Sequence, residues 1–267
     1  MKWSTNREPY NEGSFYTLDK YGNIVYRDLQ NENVGFNAGD FHDNPRWDSY
    51  NFLYYENFQF YGFESRGSDY ERYGCKIEEG VSVLDFGANI GAFARYARFR
   101  GASNVYCFEP MTPTFHCLYK NSAHDPNIEC YKLGVSDKTG IADFKIHTDF
   151  THNGGGSMCD FADKSLDIHH SESCALIGIE EIFKIEKWAK CEFLKIDIEG
   201  AERMVCEALP DAALRSLAYI SAEFHRNDRE FDLFQKNWLQ KCWDFGFKSY
   251  VLYHGNGDLR TVSLWKE

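Results

Sequence analysis

Apolar residues in this chain fall into short runs of strand length, and stretches where they recur every three or four positions lie between the runs. Val81, Val83, Leu84 and Phe86 form one β-branched, apolar run that predicts a buried central strand. Gly87, Asn89 and Gly91 follow at once and predict a tight turn. Ala92, Phe93, Tyr96, Ala97 and Phe99 then repeat at helical spacing. Further strands are predicted at 104–108, 128–135, 193–197 and 219–224, with helices at 112–122, 201–209 and 229–245. That alternation predicts an α/β fold, in which parallel strands joined by right-handed crossovers build an open, doubly wound sheet. Ligands bind such a sheet beyond the carboxyl ends of its strands, where the strand order reverses. The chain closes on SYVLYH, GNGD and LRTVSLW, a hairpin signal, so the final strand must run antiparallel to its neighbour.

The remaining segments are less periodic. Residues 14–28 alternate around Asp19, Lys20, Tyr21, Gly22 and Asn23, which predicts a small hairpin. Residues 30–74 are rich in Tyr, Phe, Asn and Asp without a clean period. Irregular structure packed on the main domain explains them, and aromatic rings interleaved with amides also suit a lid over a polar ligand with apolar faces. The boundaries that follow are an N-terminal cap or lid at 1–74 and the main domain at 75–267. Residues 141–147 alternate like a strand that extends the pairing after Val135. Residues 148–174, with Gly154, Gly155, Gly156, His152, His169 and His170, predict a long loop over the binding face. Its histidines lack regular ligand spacing, so no metal is assigned there.

Composition narrows the function. A chain of 267 residues can bury one large α/β core with an appendage. The formal net charge of -12 argues against a general nucleic-acid or anionic-membrane binder. No apolar run reaches the length of a membrane span, and the polar start MKWSTNREPYNEG is no signal peptide. The nine cysteines are scattered without a C-x-x-C pair, as reduced core cysteines are, which predicts a cytoplasmic protein without a zinc site.

The candidate chemistry begins at the glycine turn. About 20 residues past Gly87 the second strand ends in Glu109, placed to accept hydrogen bonds from both hydroxyls of a ribose. Asp85 adds an acceptor beside the same crevice. Gly87-Ala88-Asn89-Ile90-Gly91 lacks the third glycine of a dinucleotide fingerprint, which disfavours a pyrophosphate clamp and favours a phosphate-free nucleoside cofactor, S-adenosylmethionine. A second cluster, FLKIDIEGAE, places Asp197, Glu199 and Glu202 between a buried strand and a helix start. Helix capping explains Glu199 and Glu202 equally well, whereas Asp197 closes an apolar strand and faces the crevice. His225 ends the next strand at the same height, as a general base or a substrate-positioning group.

DFGANIGAF, CFEP, LGVSDKTG, FLKIDIEGAE and AEFH together resemble the FkbM family of S-adenosylmethionine-dependent methyltransferases, from about Tyr70 to the C-terminus. The resemblance implies a Rossmann-like sheet of seven strands with the last antiparallel, preceded here by a small aromatic-rich cap. It also implies O-methylation of a sugar, polysaccharide precursor or secondary metabolite. On this footing Asp85, Gly87, Asn89 and Gly91 hold the methionine part, Glu109 the ribose, and Ser136 with Asp137 lie by the adenine. Asp197, Glu199 and His225 face the acceptor, with His225 or Asp197 as base. The expected partner is a small molecule, a nucleotide-linked sugar or capsule precursor, with an amine or peptide nitrogen as the alternative acceptor. A divalent ion on Asp197, Glu199 or Glu223 would lower the hydroxyl's pKa instead, but the residues assign no metal. A homodimer stays open, and the first 70 residues match nothing in the family.

Overall fold

The computed structural model describes residues 9–10, 14–18, 24–28, 70–123, 125–147, 168–225, 230–254 and 259–267. Near the N-terminus, β1 (Pro9–Tyr10), β2 (Ser14–Leu18) and β3 (Ile24–Asp28) pair antiparallel in a small sheet. The expected turn at 19–23, the lid at 30–69 and the final turn at 255–258 lie outside the described residues.

The main sheet takes β4 (Ser82–Phe86), β5 (Asn104–Phe108) and β6 (Ile128–Tyr131), and later β10 (Phe193–Ile196), β11 (Tyr219–His225), β12 (Lys248–His254) and β13 (Leu259–Trp265). Their order is β12-β13-β11-β10-β4-β5-β6. All neighbours are parallel except at β13, which is antiparallel to both β11 and β12. The chain enters at β4 in the middle, moves out to β6, and resumes at β10 on β4's other flank. The order therefore reverses between β4 and β10, and the ends of these two strands frame the crevice.

Both faces of the sheet are covered, which is why its strands read as nearly continuous apolar runs. On one face Val83, Val105 and Phe193 meet Phe93 and Ala97 of α1 (Ala92–Phe99) and Leu118 of α2 (Thr112–Ser122). The opposite face carries Leu84, Phe86, Phe108, Leu194, Ile196 and Phe224. It is closed by α3 (Ile179–Ile182), α4 (Glu186–Ala189), α5 (Glu202–Ala208), α6 (Asp211–Ser216) and α7 (Phe231–Asp244), through Ile182, Trp188, Val205, Leu214 and Trp238.

One level of the first face departs from this pattern. Cys130, Cys107, Asp85, Lys195, Ser221 and Ser263 are register partners on six consecutive strands. Partners in register point to the same face, so a polar row crosses the sheet just before the strands reach their carboxyl ends. This row is the floor of the crevice.

Three sequence expectations are corrected. The stretch 128–135 is not one strand: β6 stops at Tyr131, and β7 (Gly134–Ser136) joins a second sheet of order β7-β9-β8, with β8 (Gly140–His147) and β9 (Ile168–Gly178). Residues 141–147 thus pair with β9 and do not extend the main sheet. A Cβ on Gly134 would lie 2.6 Å from the Leu176 side chain, so the glycine allows the close approach of β7 and β9. The predicted loop at 148–174 also ends early, because 168–174 belong to β9. Its buried Cys174 and Leu176 pack on Met111 and Phe144, while Ser173 and Ala175 beside them are exposed. Residues 148–167 lie outside the described residues.

Candidate active site

The turn after β4 is held on both sides. Gly87 N and Ala88 N donate to Phe108 O at 3.0 Å, and Asp197 N donates to Phe86 O at 3.1 Å. Gly87 has φ +75, and a Cβ there would stand 1.6 Å from the Asp197 carbonyl oxygen. That space is taken by the end of β10, so Gly87 lets the two strands that frame the crevice close up. Asn89, a non-glycine residue at φ 49, continues the turn, and Gly91 at φ 93 opens α1 without a side-chain cap.

Glu109 closes this side of the crevice. Its Oε2 accepts from Asn89 N at 3.0 Å, and its Oε1 accepts from Met111 N at 3.1 Å and Thr114 Oγ1 at 2.7 Å. Burial raises its pKa, against the pull of these hydrogen bonds. Asn89 and Glu109 are thereby brought together. Ser136 and Asp137 lie at the end of β7 in the neighbouring sheet, where the Ser136 hydroxyl donates to Asp137 Oδ1 at 3.1 Å.

Beneath the turn sits Lys195. Its Nζ donates to Gly87 O at 2.7 Å and lies 3.2 Å from Asp85 Oδ1 and 3.7 Å from Asp197 Oδ2. The ammonium also faces the rings of Tyr70 and Phe93, 5.2 and 5.8 Å from their centroids. The Tyr70 hydroxyl donates to Asp197 Oδ2 at 2.7 Å. Asp85, assigned to the methionine part of a cofactor, is 0% exposed and faces Lys195. Its influence on the crevice runs through that lysine and the Gly87 carbonyl. Burial raises its pKa, and Lys195 opposes the rise.

On the other side the carboxyl ends of β10 and β11 gather acids around one imidazole. Glu202, buried at the start of α5, accepts from Ile198 N at 3.1 Å and Gly200 N at 2.8 Å through Oε1. The same oxygen lies 3.2 Å from His225 Nδ1. This folds the loop after Asp197 over the carboxylate and holds Glu199 at φ 55, a conformation unusual for a non-glycine residue. His225 Nε2 then lies 3.4 Å from Glu199 Oε2 and 3.8 Å from Glu223 Oε1. Asp197, Glu223 and His225 each offer one ligand atom within 4.8 Å of the others, a group able to hold a metal ion.

The electrostatics follow from crowding. Burial, reinforced by the charges of Asp197 and Glu202, pushes Glu199 up to about 8. Burial and Asp197 push Glu223 up to about 8 as well. Burial alone would lower His225, yet the hydrogen bond to Glu202 and the surrounding carboxylates outweigh it and raise the imidazole to about 10. All three groups bind protons more tightly in the folded chain, so they contribute stability at low pH that is lost as pH rises. The loss runs from about 4.5 through about 8 for the two glutamates and from about 6.5 through about 10 for His225. The melting temperature of chelator-treated protein is therefore expected to decline between about pH 5 and about pH 10. A profile that climbs above about pH 8 would contradict the crowding.

Asp85, Lys195 and Tyr70 form a network that reaches Asp197, and Asp197, Glu199 and His225 converge from two strands. Sequence reasoning gave Lys195 and Tyr70 no role and explained Glu202 equally well as a helix cap. A lysine inside the apolar strand FLKI was the available signal, because lysine is almost never fully buried without a partner. Tyr70 had none, since a single tyrosine in an aromatic-rich segment carries no period.

A family model described as a methyltransferase FkbM domain matches residues 85–249. The antimetabolite synthetase AmbE of Pseudomonas aeruginosa is 27% identical over 188 residues, covering 58% of this chain and 9% of that protein. The 31-O-demethyl-FK506 methyltransferase FkbM of Streptomyces tacrolimicus is 26% identical over 184 residues, covering 60% of this chain and 71% of that protein. Among solved structures, methyltransferase FkbM of Methylobacillus flagellatus superposes with a TM-score of 0.46 at 15% identity, over 78% of this chain and 47% of that one. The chain thus spans under a tenth of AmbE and about half of the solved relative.

Proposed function

The chain belongs to the FkbM family of S-adenosylmethionine-dependent methyltransferases, and we propose that it methylates a hydroxyl oxygen of a sugar, a nucleotide-linked sugar or a surface-glycan precursor. The observation that carries this reading is the convergence of Asp197, Glu199, Glu223 and His225 on one side of the Gly87 turn, with Glu109 on the other. The relative named for 31-O-demethyl-FK506 acts, by that name, at an oxygen.

The donor set fits the cofactor. Glu109 Oε2 takes one hydrogen bond from Asn89 N and keeps acceptor capacity for a ribose diol. A crevice lined by carboxylates suits a sulfonium cation and opposes a pyrophosphate. When bound there, the cofactor supplies a methyl group already activated on a positively charged sulfur. The chain's own work is alignment, where positioning contributes on the order of 7–11 kcal/mol, and removal of the hydroxyl proton.

Of the titratable groups, Glu199 is best suited to accept that proton. Its pKa of about 8 leaves it partly ionised near neutral pH, and the ionised fraction is a stronger proton acceptor than an ordinary carboxylate. His225, raised to about 10, is protonated there as long as no cation is bound, and Asp197 is tied to Tyr70 at 2.7 Å and faces Lys195 at 3.7 Å. Glu199 therefore replaces His225 and Asp197 as the base in this reading, while those two position the acceptor.

Mass spectrometry of reactions containing the cofactor and a panel of free and nucleotide-linked sugars is expected to show the gain of one methyl. Glu199→Gln should slow it by about 100-fold or more. Binding of S-adenosylhomocysteine without methylation of any sugar would sink the substrate class and leave the family intact. Methylation of amines alone would move the reaction to nitrogen.

A further inference from the structure

We propose that Asp197, Glu223 and His225 form a binding site for one divalent cation at the mouth of the crevice. Strand register brings them together. Lys195 pairs with Ser221 and Ile196 with Ala222, so the next position on the same face sets Asp197 beside Glu223, and His225 follows two residues on along β11. One ligand atom from each lies within 4.8 Å of the others. A cation with bonds of about 2.0–2.6 Å holds its ligands at separations of this order.

Two further observations point to a ligand and not merely to an acidic surface. Asp197 Oδ1 is buried and has no hydrogen-bond partner among the described residues, whereas Oδ2 is bonded to Tyr70. Buried acceptors are normally satisfied, and a cation would satisfy this one. The second is the orientation of His225. Its Nδ1 faces Glu202, a buried carboxylate outside the three-residue group and anchored by two backbone N–H groups. Nε2 faces Glu199 at 3.4 Å and Glu223 at 3.8 Å, and a cation bound there displaces the Nε2 proton that the metal-free ring carries. A carboxylate behind a ligating imidazole is the usual arrangement that fixes the tautomer and strengthens the ligand. Charge agrees: the four carboxylates of Asp197, Glu199, Glu202 and Glu223 gather around Lys195 and His225.

Two carboxylates and one imidazole, without thiolate, suit Mn²⁺ or Mg²⁺ and leave coordination positions for water or an acceptor oxygen. The ion's use in orienting an acceptor hydroxyl and making it more acidic rests on the methyltransferase reading. Its binding does not.

The test is a Mn²⁺ titration of the chelator-stripped full chain followed by electron paramagnetic resonance, with S-adenosylhomocysteine affinity measured separately by calorimetry. One Mn²⁺ per chain is expected. His225→Ala and Glu223→Gln should each weaken it at least about 10-fold, Glu202→Gln about 10-fold through the freed ring, and Glu186→Gln, on an exposed helix, not at all. A pulsed measurement on the unsubstituted protein should show imidazole nitrogen coupled to the Mn²⁺ spin, which needs no folded variant. Absence of a saturable site, absence of the nitrogen coupling, or affinity unchanged in both ligand variants would overturn the site. Mn²⁺ bound normally with no S-adenosylhomocysteine binding would instead sink the methyltransferase reading alone.

Discussion

Lys195→Met is expected to destabilise the protein by about 3–5 kcal/mol, the usual cost of removing one partner from a buried ion pair. Asp85 is 0% exposed, and apart from Lys195 neither of its oxygens has a hydrogen-bond partner among the described residues, so the ammonium 3.2 Å away is its compensation. Without it the carboxylate must stay charged in an apolar setting or take up a proton. Either route weakens the fold, and the second makes the deficit depend on pH. The Asp85 pKa, already raised by burial, would rise further once Lys195 is gone, so the loss should be small at acidic pH and grow as pH rises. Urea unfolding of the variant at acidic and alkaline pH would measure both terms. The double variant Asp85→Leu with Lys195→Met should recover much of the loss, since replacing a whole buried pair by apolar residues is often neutral or stabilising. A single variant as stable as the parent at alkaline pH would show that the pair does not hold the centre of the sheet.

The second large effect is expected at the glycine turn. Gly87→Ala places a Cβ 1.6 Å from the Asp197 carbonyl oxygen at a residue whose φ is +75. The left-handed conformation alone costs about 1–2 kcal/mol for a residue with a side chain, and overpacking adds about 1–3 kcal/mol. The ends of β4 and β10 must separate to relieve the clash, and the Lys195 bond to Gly87 O is disturbed with them. A combined strain of about 2 kcal/mol or more, expressed in the crevice, weakens S-adenosylhomocysteine by about 30-fold or more in calorimetry. Gly80→Ala separates the two contributions, because Gly80 has φ +88 with nothing within 4 Å of its added Cβ. It should show the backbone strain and keep its affinity. Equal affinity losses in both variants would mean that the closeness of the two strands does not matter to the site.

These effects differ in how far they were legible from residue order. The strand of Val83, Leu84 and Phe86, the bend at Gly87 and the helix at Ala92 follow from local spacing, as does the antiparallel closing hairpin. Asp197 and His225 were likewise identifiable as candidates, because each ends an apolar strand. The match of Gly87's missing side chain to the end of β10 is a contact that residue order does not record.

Sequence by itself determined most strands of the main sheet, the helices at Ala92, Thr112, Glu202 and Phe231, and which polar residues stand at their ends. A hydrophobic period records burial of one face, and that is a property of neighbours along the chain. The tertiary structure alone decided which strand lies beside which. That order sets Lys195 between Asp85 and Asp197, diverts Gly134–Ser136 into a second sheet, and turns Glu202 from a possible helix cap into the carboxylate that orients His225. Such contacts join residues far apart in the chain, and a pairing of charges carries no period from which it could be read.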